Sequence, residues 1–360
     1  MKFLQQQFHA WLLRLAADDW QRQTLTWRAA LMVPLSWGFA LYAAWQRLPY
    51  AIGLKKPAQL RSPVIVVGNL ILGGAGKTPV TLWLVDALRA RGFTPGVISR
   101  GYGGTHHVTN SGAPLMVVAT TDASVAGDEP VLIASVAAVP VCVAHDRVTA
   151  GAALLAAHPQ VDVLVSDDGL QHTALSRAVE IVVFDERVCG NGWLFPAGPL
   201  REGVARLQRA DALIVASQAD AQILSSGTPP AFMRTLVLGT PYALGDSSKT
   251  LDWRGFSGTG IPLIALAGIA HPPRFAASLK AKGIDATLLA FPDHHRYTRA
   301  DLDGLPTQAT VLMTAKDSVK LRAFADHPAL HDAWVVPLQL ELDSSLADLI
   351  VEKLRGRKTT

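Results

Sequence analysis

The stretch VGNLILGGAGKTP, residues 67 to 79, decides how the rest of the chain is interpreted. It resembles the phosphate-binding pattern G-x-x-x-x-G-K-[ST], in which the first glycine lies five residues before the second. Because the second glycine here is Gly76, the first would lie at position 71, where the sequence has Ile. Two questions follow: whether this stretch binds a nucleotide, and which groups receive the phosphate.

The residues around the loop have the order that a nucleotide site requires. The run SPVIVVGN, 62–69, is short, apolar and rich in β-branched residues, which predicts a buried strand. The run TPVTLWLVDALRARG, 78–92, predicts a helix, whose free N–H groups and dipole attract an anion. An ordinary strand–helix turn is the alternative, but the core G-G-x-G-K-T is intact. We therefore expect a phosphate-binding loop formed by Gly73, Gly74, Ala75, Gly76, Lys77 and Thr78, with Lys77 on the phosphates and Thr78 on Mg²⁺.

Short apolar runs alternate with helical stretches beyond this loop. Because the runs are continuously apolar rather than alternating, they predict an α/β fold with a parallel sheet covered by helices. The stretch 94–104 predicts a strand and then a glycine-rich turn, and the predicted strands that follow are 113–120, 139–145, 161–168, 179–185 and 210–217. A polar, broken stretch comes next, and then a second series of strands and helices, whose last predicted strand is AWVVPLQLEL, 333–342.

The chain has 360 residues, which favours two domains. We predict an N-terminal membrane-associated helical segment at 1–56, a P-loop nucleotide-binding α/β domain at 57–235, a linker at 236–258 and a smaller C-terminal α/β/α domain at 259–360. Two cysteines, Cys142 and Cys189, provide no disulfide framework and favour a reducing compartment.

The net charge of +4 is concentrated at the N-terminus. Residues 1–56 contain seven basic and two acidic residues, a net charge of +5, which leaves −1 for the remainder. The basic balance therefore does not indicate a nucleic-acid partner. The basic residues flank an uncharged run, AALMVPLSWGFALYAAWQ at 29–46, in a segment rich in Trp and Tyr.

This uncharged run has three interpretations. It is close to the lower length limit for a bilayer span, it could be a helix buried in the protein, or it could lie at the membrane interface. We favour the interface, because Arg and Lys can meet anionic headgroups while Trp and Leu lie below them.

Acidic residues follow two predicted strands. The strand VDVLVSDD ends in Asp167 and Asp168, at the edge where parallel sheets bind ligands, so we interpret these acids as metal ligands rather than as a solvated turn. The motif GDEP contains Asp128 and Glu129, a candidate base and a candidate metal contact, although this short motif alone is a weak signal.

The stretch FPDHHRYT, 291–298, contains Asp293, His294 and His295. Zinc binding is one interpretation, but no cysteine or third spaced ligand accompanies the pair. A histidine held by a carboxylate for proton transfer is more plausible, and surface histidines in a loop are the alternative. Neither SQAD nor TAKD, each of which follows an apolar run, matches the guanine-reading pattern N-K-x-D.

Taken in order, these motifs resemble those of the tetraacyldisaccharide 4'-kinase family, the lipid A 4'-kinases of Gram-negative bacteria. The resemblance extends from PLSWGFALY to about residue 340, and its specificity comes from the shared order of eight motifs: GNLILGGAGKTP, SRGYGG, GDEP, SDDGLQH, GNGWLFPAGPLRE, AGIAHPPRF, FPDHHRYT and TAKDSVK.

The resemblance implies a lipid kinase that transfers the γ-phosphate of ATP to the 4'-hydroxyl of a tetraacyl glucosamine disaccharide 1-phosphate. It implies ATP and Mg²⁺ as cofactors and a location at the cytoplasmic face of the inner membrane. The expected partners are the lipid substrate and the membrane surface, with no nucleic acid and no obligate protein partner.

The resemblance also implies roles for individual residues. Asp128 would be the base that takes the proton of the sugar hydroxyl, and His294 would assist it. Lys77 would serve the phosphates. The expected metal contacts are Thr78, Glu129, Asp167 and Asp168, and further candidates for substrate or phosphate contacts are Arg100, Gln171, His172 and Arg201.

Two other functions are weighed against the kinase. A nucleotide-driven switch of the deviant P-loop class also has the core G-G-x-G-K-T, but it usually has a lysine just before the paired glycines, where this chain has Leu72. A membrane scaffold without catalytic activity is disfavoured, because none of the expected reactive residues is missing.

Overall fold

The computed structural model of the protein describes residues 18–106, 113–224, 229–256 and 260–356. These residues form two compact units, and each unit is assembled from separate parts of the chain. The first unit contains the described residues up to Lys77, the segment Val163–Arg234 and the described residues from Leu342 onward. The second contains the described residues of Thr78–Asp162 and Thr235–Glu341. The domain boundaries given above stay a prediction.

The strands are numbered in chain order. They are β1 (Val64–Gly68), β2 (Pro95–Ser99), β3 (Leu115–Val117), β4 (Val141–Val143), β5 (Val163–Asp167), β6 (Val179–Val183), β7 (Ala212–Val215), β8 (Ala231–Leu238), β9 (Tyr242–Ala243), β10 (Asp246–Thr250), β11 (Leu263–Ala267), β12 (Thr287–Ala290), β13 (Thr310–Thr314), β14 (Trp334–Val336) and β15 (Leu338–Leu342).

The α-helices are numbered in the same way. They are α1 (Trp27–Ala30), α2 (Val33–Ala51), α3 (Lys77–Arg89), α4 (Ala123–Ala126), α5 (Asp128–Ala137), α6 (Arg147–Ala157), α7 (Gln218–Leu224), α8 (Pro272–Ala281), α9 (Arg299–Asp303), α10 (Ala315–Leu321) and α11 (Ser345–Gly356).

A parallel sheet forms the core of the first unit. Its strands lie in the order β8-β7-β6-β1-β5, and every neighbouring pair is parallel. The central strand β1 is buried along its whole length, and Val67 lies opposite Asp167 at the end of β5. The prediction of an α/β fold with a large parallel sheet is confirmed, since continuous apolar runs are what strands buried on both faces require.

The second unit contains both parallel and antiparallel pairs. Strand β2 pairs with β4 in parallel, whereas β3 runs antiparallel to β4. A separate six-stranded sheet has the order β10-β9-β14-β13-β11-β12, in which β9 runs antiparallel to both β10 and β14 and the other neighbouring pairs are parallel. Strands β9 and β10 lie within the stretch 236–258 that the sequence suggested as a linker.

Two features near the C-terminus differ from the sequence-based expectation. The run AWVVPLQLEL, taken as one strand, forms β14 and β15 with Pro337 between them, since proline has no N–H to donate to a strand ladder. Helix α11 was not predicted. Its buried Leu346, Ile350 and Leu354 recur every four residues, which is the signal of an amphipathic helix.

Helix α2 covers most of the uncharged run near the N-terminus. Its large apolar residues are widely exposed, including Trp37 at 62% and Trp45 at 77% of their surface, and Ser36 is its buried residue. Across the described ranges, 18–106, 113–224, 229–256 and 260–356, the structure contains no helix with the length and apolar character needed to span a bilayer. The interpretation of α2 as an interfacial helix stays a prediction.

Two glycines test how tightly the first unit is packed. A Cβ atom added at Gly68 would lie 2.4 Å from the Cβ of Leu170, whereas one added at Gly38, on the exposed surface of α2, would meet nothing within 4 Å. We expect Gly68→Ala to lower the melting temperature by about 3–8 °C through overpacking. We expect Gly38→Ala to stabilise the helix by up to about 1 kcal/mol. Thermal unfolding of both variants in detergent measures this difference, and equal shifts would contradict it.

Candidate active site

The phosphate-binding loop is held by protein contacts along its first half. Ile71, which replaces the expected glycine, is buried and forms a bridge with Leu200, and the N–H of Leu72 donates to the carbonyl of Pro199 over 2.8 Å. Gly73 and Gly76 adopt positive φ angles of 92° and 77°. The backbone that remains for an anion therefore begins at Gly73, so the glycine missing at position 71 is not needed to receive phosphate.

Two arginines lie beside the backbone of this loop. Arg187 donates to the carbonyls of Leu72 and Gly74, each over 3.3 Å, and Arg234 donates to the carbonyl of Gly76 over 3.4 Å. The buried carboxylate of Asp185 holds Arg187 through a hydrogen bond of 2.8 Å to Nε. These arginines fix the direction of the loop carbonyls and add positive charge where a polyphosphate would bind.

The lysine of the loop is directed toward other predicted residues. Lys77 is buried, and its Nζ lies 3.1 Å from Oδ1 of Asn69 and 3.6 Å from Oδ1 of Asp168. Arg201 contacts the same carboxylate at 3.1 Å and also donates to Oε1 of Gln171. The structure thus brings Lys77, Asp168, Gln171 and Arg201 into one cluster.

The other residues predicted near the nucleotide have different positions. Asp167 is the buried last residue of β5, and Asp168 follows it with a positive φ of 49°. His172 is on the same loop, where its carbonyl accepts a hydrogen bond from Arg177. Thr78 lies in the first turn of α3. Asn69, Arg187 and Arg234 were not identified from the sequence, although Arg187 follows a predicted strand at the ligand edge of the sheet.

The donor set suits a hard cation such as Mg²⁺. Carboxylates at Asp167 and Asp168 and a hydroxyl at Thr78 are oxygen ligands, and Mg²⁺ usually takes one or two carboxylates, with phosphates and water completing its shell. In the parts of the chain that the structure describes, no three His, Cys, Asp or Glu side chains are grouped to hold a metal by themselves. The donor set therefore fits a metal that binds together with a nucleotide.

A second cluster is built around the first residue of α5. Asp128 is buried, with 4% of its surface exposed, and its two carboxylate oxygens lie 3.1 and 3.0 Å from Nδ1 of His294. Because a carboxylate only accepts, this geometry assigns the Nδ1 proton to His294. His294 has a positive φ of 58°, and the ring of Tyr102, in the SRGYGG motif, packs edge-on against it at 5.7 Å.

The environment keeps the Asp128 carboxyl ionised. Burial raises its pKa, but the hydrogen bond from His294 and the charge of Lys316 outweigh burial, so the pKa of Asp128 lies below its usual value. The same hydrogen bond raises the pKa of His294, against the opposing effect of burial. A carboxylate that is ionised and bonded to an imidazole is suited to accept a proton.

Lys316 is the residue of this cluster that the sequence interpretation missed. Its Nζ lies 3.7 Å from Asp128, 3.4 Å from Glu129 and 3.3 Å from Asp293. Burial lowers the pKa of Lys316, but these three carboxylates outweigh burial and raise it, which keeps the ammonium charged. Its motif TAKD does not match the guanine-reading pattern, and TAKDSVK is one of the eight motifs of the family resemblance, but neither observation predicted a role for Lys316.

A buried carboxylate positions the segments that carry His294 and Lys316. Asp317 accepts hydrogen bonds from the N–H of Gly268 at 3.0 Å, from the hydroxyl of Thr314 at 2.6 Å and from the hydroxyl of Tyr297 at 2.9 Å. Tyr297 belongs to the loop of His294, and Asp317 follows Lys316 in α10. The bonds therefore limit how far the imidazole and the ammonium can move relative to each other.

Two predicted residues lie outside these contacts. Nε2 of His295 is 3.2 Å from Asp301, so the structure brings His294, and not His295, against Asp128. The guanidinium of Arg100 is 2.9 Å from Nε2 of His145. Glu129 contacts Lys316, and its role as a metal contact stays a prediction, as do the roles of the other site residues.

Comparisons with known proteins identify relatives along almost the whole chain. The family model described as Tetraacyldisaccharide-1-P 4'-kinase matches residues 28–355. A tetraacyldisaccharide 4'-kinase of Dechloromonas aromatica is 47% identical over 349 residues, which cover 97% of this chain and 98% of that protein. One from a Janthinobacterium species is 46% identical, covering 94% of this chain and 95% of that protein.

A solved structure is also similar. The crystal structure of LpxK from Aquifex aeolicus in complex with ATP has a TM-score of 0.74 and 27% sequence identity, and the match covers 91% of this chain and 99% of that chain. Since both the family model and the relatives cover nearly all of the sequence, this chain belongs to the tetraacyldisaccharide-1-P 4'-kinase family.

Proposed function

We propose that this enzyme transfers the γ-phosphoryl group of ATP to the 4'-hydroxyl of a tetraacyl glucosamine disaccharide 1-phosphate, a kinase step of lipid A biosynthesis. The relatives bear the name of this activity, and the similar structure was solved with ATP. The observation that carries the proposal is the hydrogen-bonded pair of Asp128 and His294, 3.0 Å apart, in a chain that also has a phosphate-binding loop. A nucleotide switch would need the loop but not the buried base.

The phosphate-binding loop would hold the ATP phosphates. Backbone N–H groups from Gly73 to Gly76 would contact phosphate oxygens, and Lys77 would leave Asn69 or Asp168 to reach the β- and γ-phosphates. Mg²⁺ would be held by Thr78 together with Asp167 or Asp168, and when bound it neutralises charge on the phosphate oxygens. Phosphoryl transfer depends mainly on such positioning and charge neutralisation.

The Asp128 carboxylate would accept the proton of the sugar hydroxyl. As the bond between the 4'-oxygen and the γ-phosphorus forms, the bond from that phosphorus to the bridging oxygen of ADP breaks, and ADP leaves with its electron pair. The hydroxyl proton moves to Asp128. His294 holds the carboxylate through Nδ1–H, so that an oxygen is presented in a fixed direction.

The acyl chains of such a substrate remain in a membrane, so the enzyme would work at a membrane surface. Helix α2 exposes Trp37, Leu41 and Trp45, at 62%, 73% and 77%, as an apolar face that could lie among lipid headgroups and acyl chains. We therefore place the protein at the cytoplasmic face of the inner membrane, associated through its N-terminal segment.

The central experiment removes the base. Asp128→Asn keeps the shape of the side chain but loses its capacity to accept a proton, so we expect kcat to fall by about 10²- to 10⁴-fold. The KM for ATP should change by less than about threefold, because the base acts on the acceptor. The assay follows transfer of label from γ-labelled ATP to the 4' position of a tetraacyl disaccharide 1-phosphate.

The matched control is Asp86→Asn, which makes the same change at a carboxylate on α3 whose side chain is 75% exposed. It should keep wild-type kinetics. If Asp128→Asn abolished ATP binding while turnover of bound nucleotide persisted, the base assignment would be wrong. Wild-type protein that labels no position of the disaccharide would contradict the proposed function itself.

A second variant tests the cation shared by the three carboxylates. Lys316→Met leaves Asp128, Glu129 and Asp293 without their common partner, and we expect kcat to fall by about 10- to 100-fold through lost charge-assisted contacts. Lys316→Arg, which keeps the charge, should recover part of this loss. Lys282→Met, at an exposed lysine, is the control. Unchanged kcat in Lys316→Met would remove Lys316 from the mechanism.

A third measurement tests the membrane surface. The double variant Trp37→Ser, Trp45→Ser removes two exposed rings from α2, so we expect it to lose more than about half of its binding to vesicles with anionic lipid. The control, Val118→Ser with Met233→Ser, removes exposed apolar side chains elsewhere. Sedimentation with vesicles measures the bound fraction. Equal sedimentation of both double variants would argue against α2 as the membrane contact.

A further inference from the structure

One buried hydroxyl interrupts the exposed surface of helix α2. Ser36 has 2% of its surface exposed, whereas its neighbours Leu35 and Trp37 are exposed at 58% and 62%. A membrane-binding helix requires no buried hydroxyl, and burying one is unfavourable unless both its donor and acceptor functions are used. The position of Ser36 therefore indicates a second role for this helix.

The hydroxyl of Ser36 is bonded to a loop far along the chain. Its Oγ lies 2.8 Å from the carbonyl of Leu194, to which it donates, and it accepts a hydrogen bond of 2.9 Å from the N–H of Ala197. The hydroxyl thus bridges the two ends of a local bend at 194–197, where the Leu194 carbonyl also accepts a hydrogen bond of 3.0 Å from the N–H of Gly198. The ring of Phe39, one turn later in α2, packs edge-on against Phe195 at 5.7 Å.

The same loop also contacts the residues that lead into the phosphate-binding loop. We name residues 194–202 the support segment. Its Pro199 accepts the hydrogen bond from Leu72 over 2.8 Å, and the N–H of Arg201 donates to the carbonyl of Leu70 over 2.6 Å. The chain of contacts from Ser36 to the backbone just before Gly73 therefore consists of hydrogen bonds and one short run of covalent backbone.

A charged contact ties the other half of the helix to the end of the support segment. Arg47 lies 3.1 Å from the buried carboxylate of Glu202, the residue that follows Arg201. Helix α2 therefore contacts the support segment at both ends, with Ser36 near residue 194 and Arg47 at residue 202. Such a two-point attachment restricts sliding and rotation of the segment along the helix.

We propose that Ser36 is a positioning residue of the nucleotide site, and that the inner face of α2 supports the phosphate-binding loop through the support segment. This inference rests on the proposed function only in taking ATP as the ligand of the loop. The outer face, with its exposed Trp side chains, has a separate role at the lipid surface. Changes on the two faces should therefore alter different properties of the enzyme.

The experiment uses the full chain in detergent and compares Ser36→Ala with wild type. Loss of the hydroxyl leaves the Leu194 carbonyl and the Ala197 N–H without this partner, and we expect the Kd for a fluorescent ATP analogue to rise by about five- to tenfold. Hydrogen exchange in a peptide spanning residues 66–78 should become faster. Exchange in β7, which β6 separates from β1 in the sheet, should stay as in wild type. A global loss of stability would instead make exchange in β7 faster as well.

Matched variants separate the two faces. Ser135→Ala removes a hydroxyl that bonds to the carbonyl of Val131 in its own helix, and it should leave analogue binding and loop exchange unchanged. The double variant Trp37→Ser, Trp45→Ser should reduce vesicle binding and keep the wild-type Kd for the analogue. Ser36→Ala should raise that Kd and keep wild-type vesicle binding. Arg47→Met removes the contact between α2 and Glu202; it should repeat the Ser36→Ala pattern and serves as the test if Ser36→Ala does not fold.

The inference is overturned if Ser36→Ala, or Arg47→Met in its place, binds the analogue with wild-type Kd and shows wild-type exchange at 66–78. Neither measurement requires transfer of phosphate to a lipid. A protein that binds the analogue through a loop dependent on Ser36, but phosphorylates no disaccharide, would contradict the proposed function and leave this inference intact.

Discussion

The hydrogen bond from Leu72 to the carbonyl of Pro199 holds the backbone at the start of the glycine loop, and the proposed nucleotide site is built on that constraint. A phosphate-binding loop needs its backbone N–H groups directed at an anion before the anion arrives, because ordering them on binding would cost conformational entropy. In the usual pattern the first glycine begins that wrap. Here Ile71 is buried against Leu200, so the first half of the loop is fixed by packing and pairing, and only the part from Gly73 onward is left for phosphate.

In the cluster around Asp128, charged side chains are likewise held in place by opposite charges. Burial raises the pKa of Asp128, but His294 and Lys316 stabilise its ionised form and lower the pKa below its usual value. Lys316 in turn is kept charged by Glu129 and Asp293 as well as by Asp128. The carboxylates and the cation are therefore interdependent, and removing one member leaves the remaining charges with less compensation, which is why such sites change sharply on single substitutions.

The sequence predicts much of this molecule, and the misses have physical reasons. The central strand β1 and the glycine loop were found because a β-branched run and glycines at fixed spacing are local signals. Lys316 was missed because its contact with Glu129 joins residues 187 positions apart, which no local pattern encodes. Strand β8 was missed because its residues are largely exposed, and its arginine at position 234 carries no signal that it will reach the loop carbonyl of Gly76.

Helix α2 illustrates a further limit of interpretation from composition. Its Trp, Leu and Tyr residues dominate any average over the segment, so the run indicates a membrane surface and hides the one polar residue that is buried. A hydrophobic average weighs each residue by its type, whereas Ser36 matters because of where its hydroxyl lies and which two backbone groups it bonds. An apolar helix can therefore expose most of its surface and still fix a neighbouring segment through a few polar side chains, since a fully satisfied buried hydroxyl specifies position more strictly than apolar packing does.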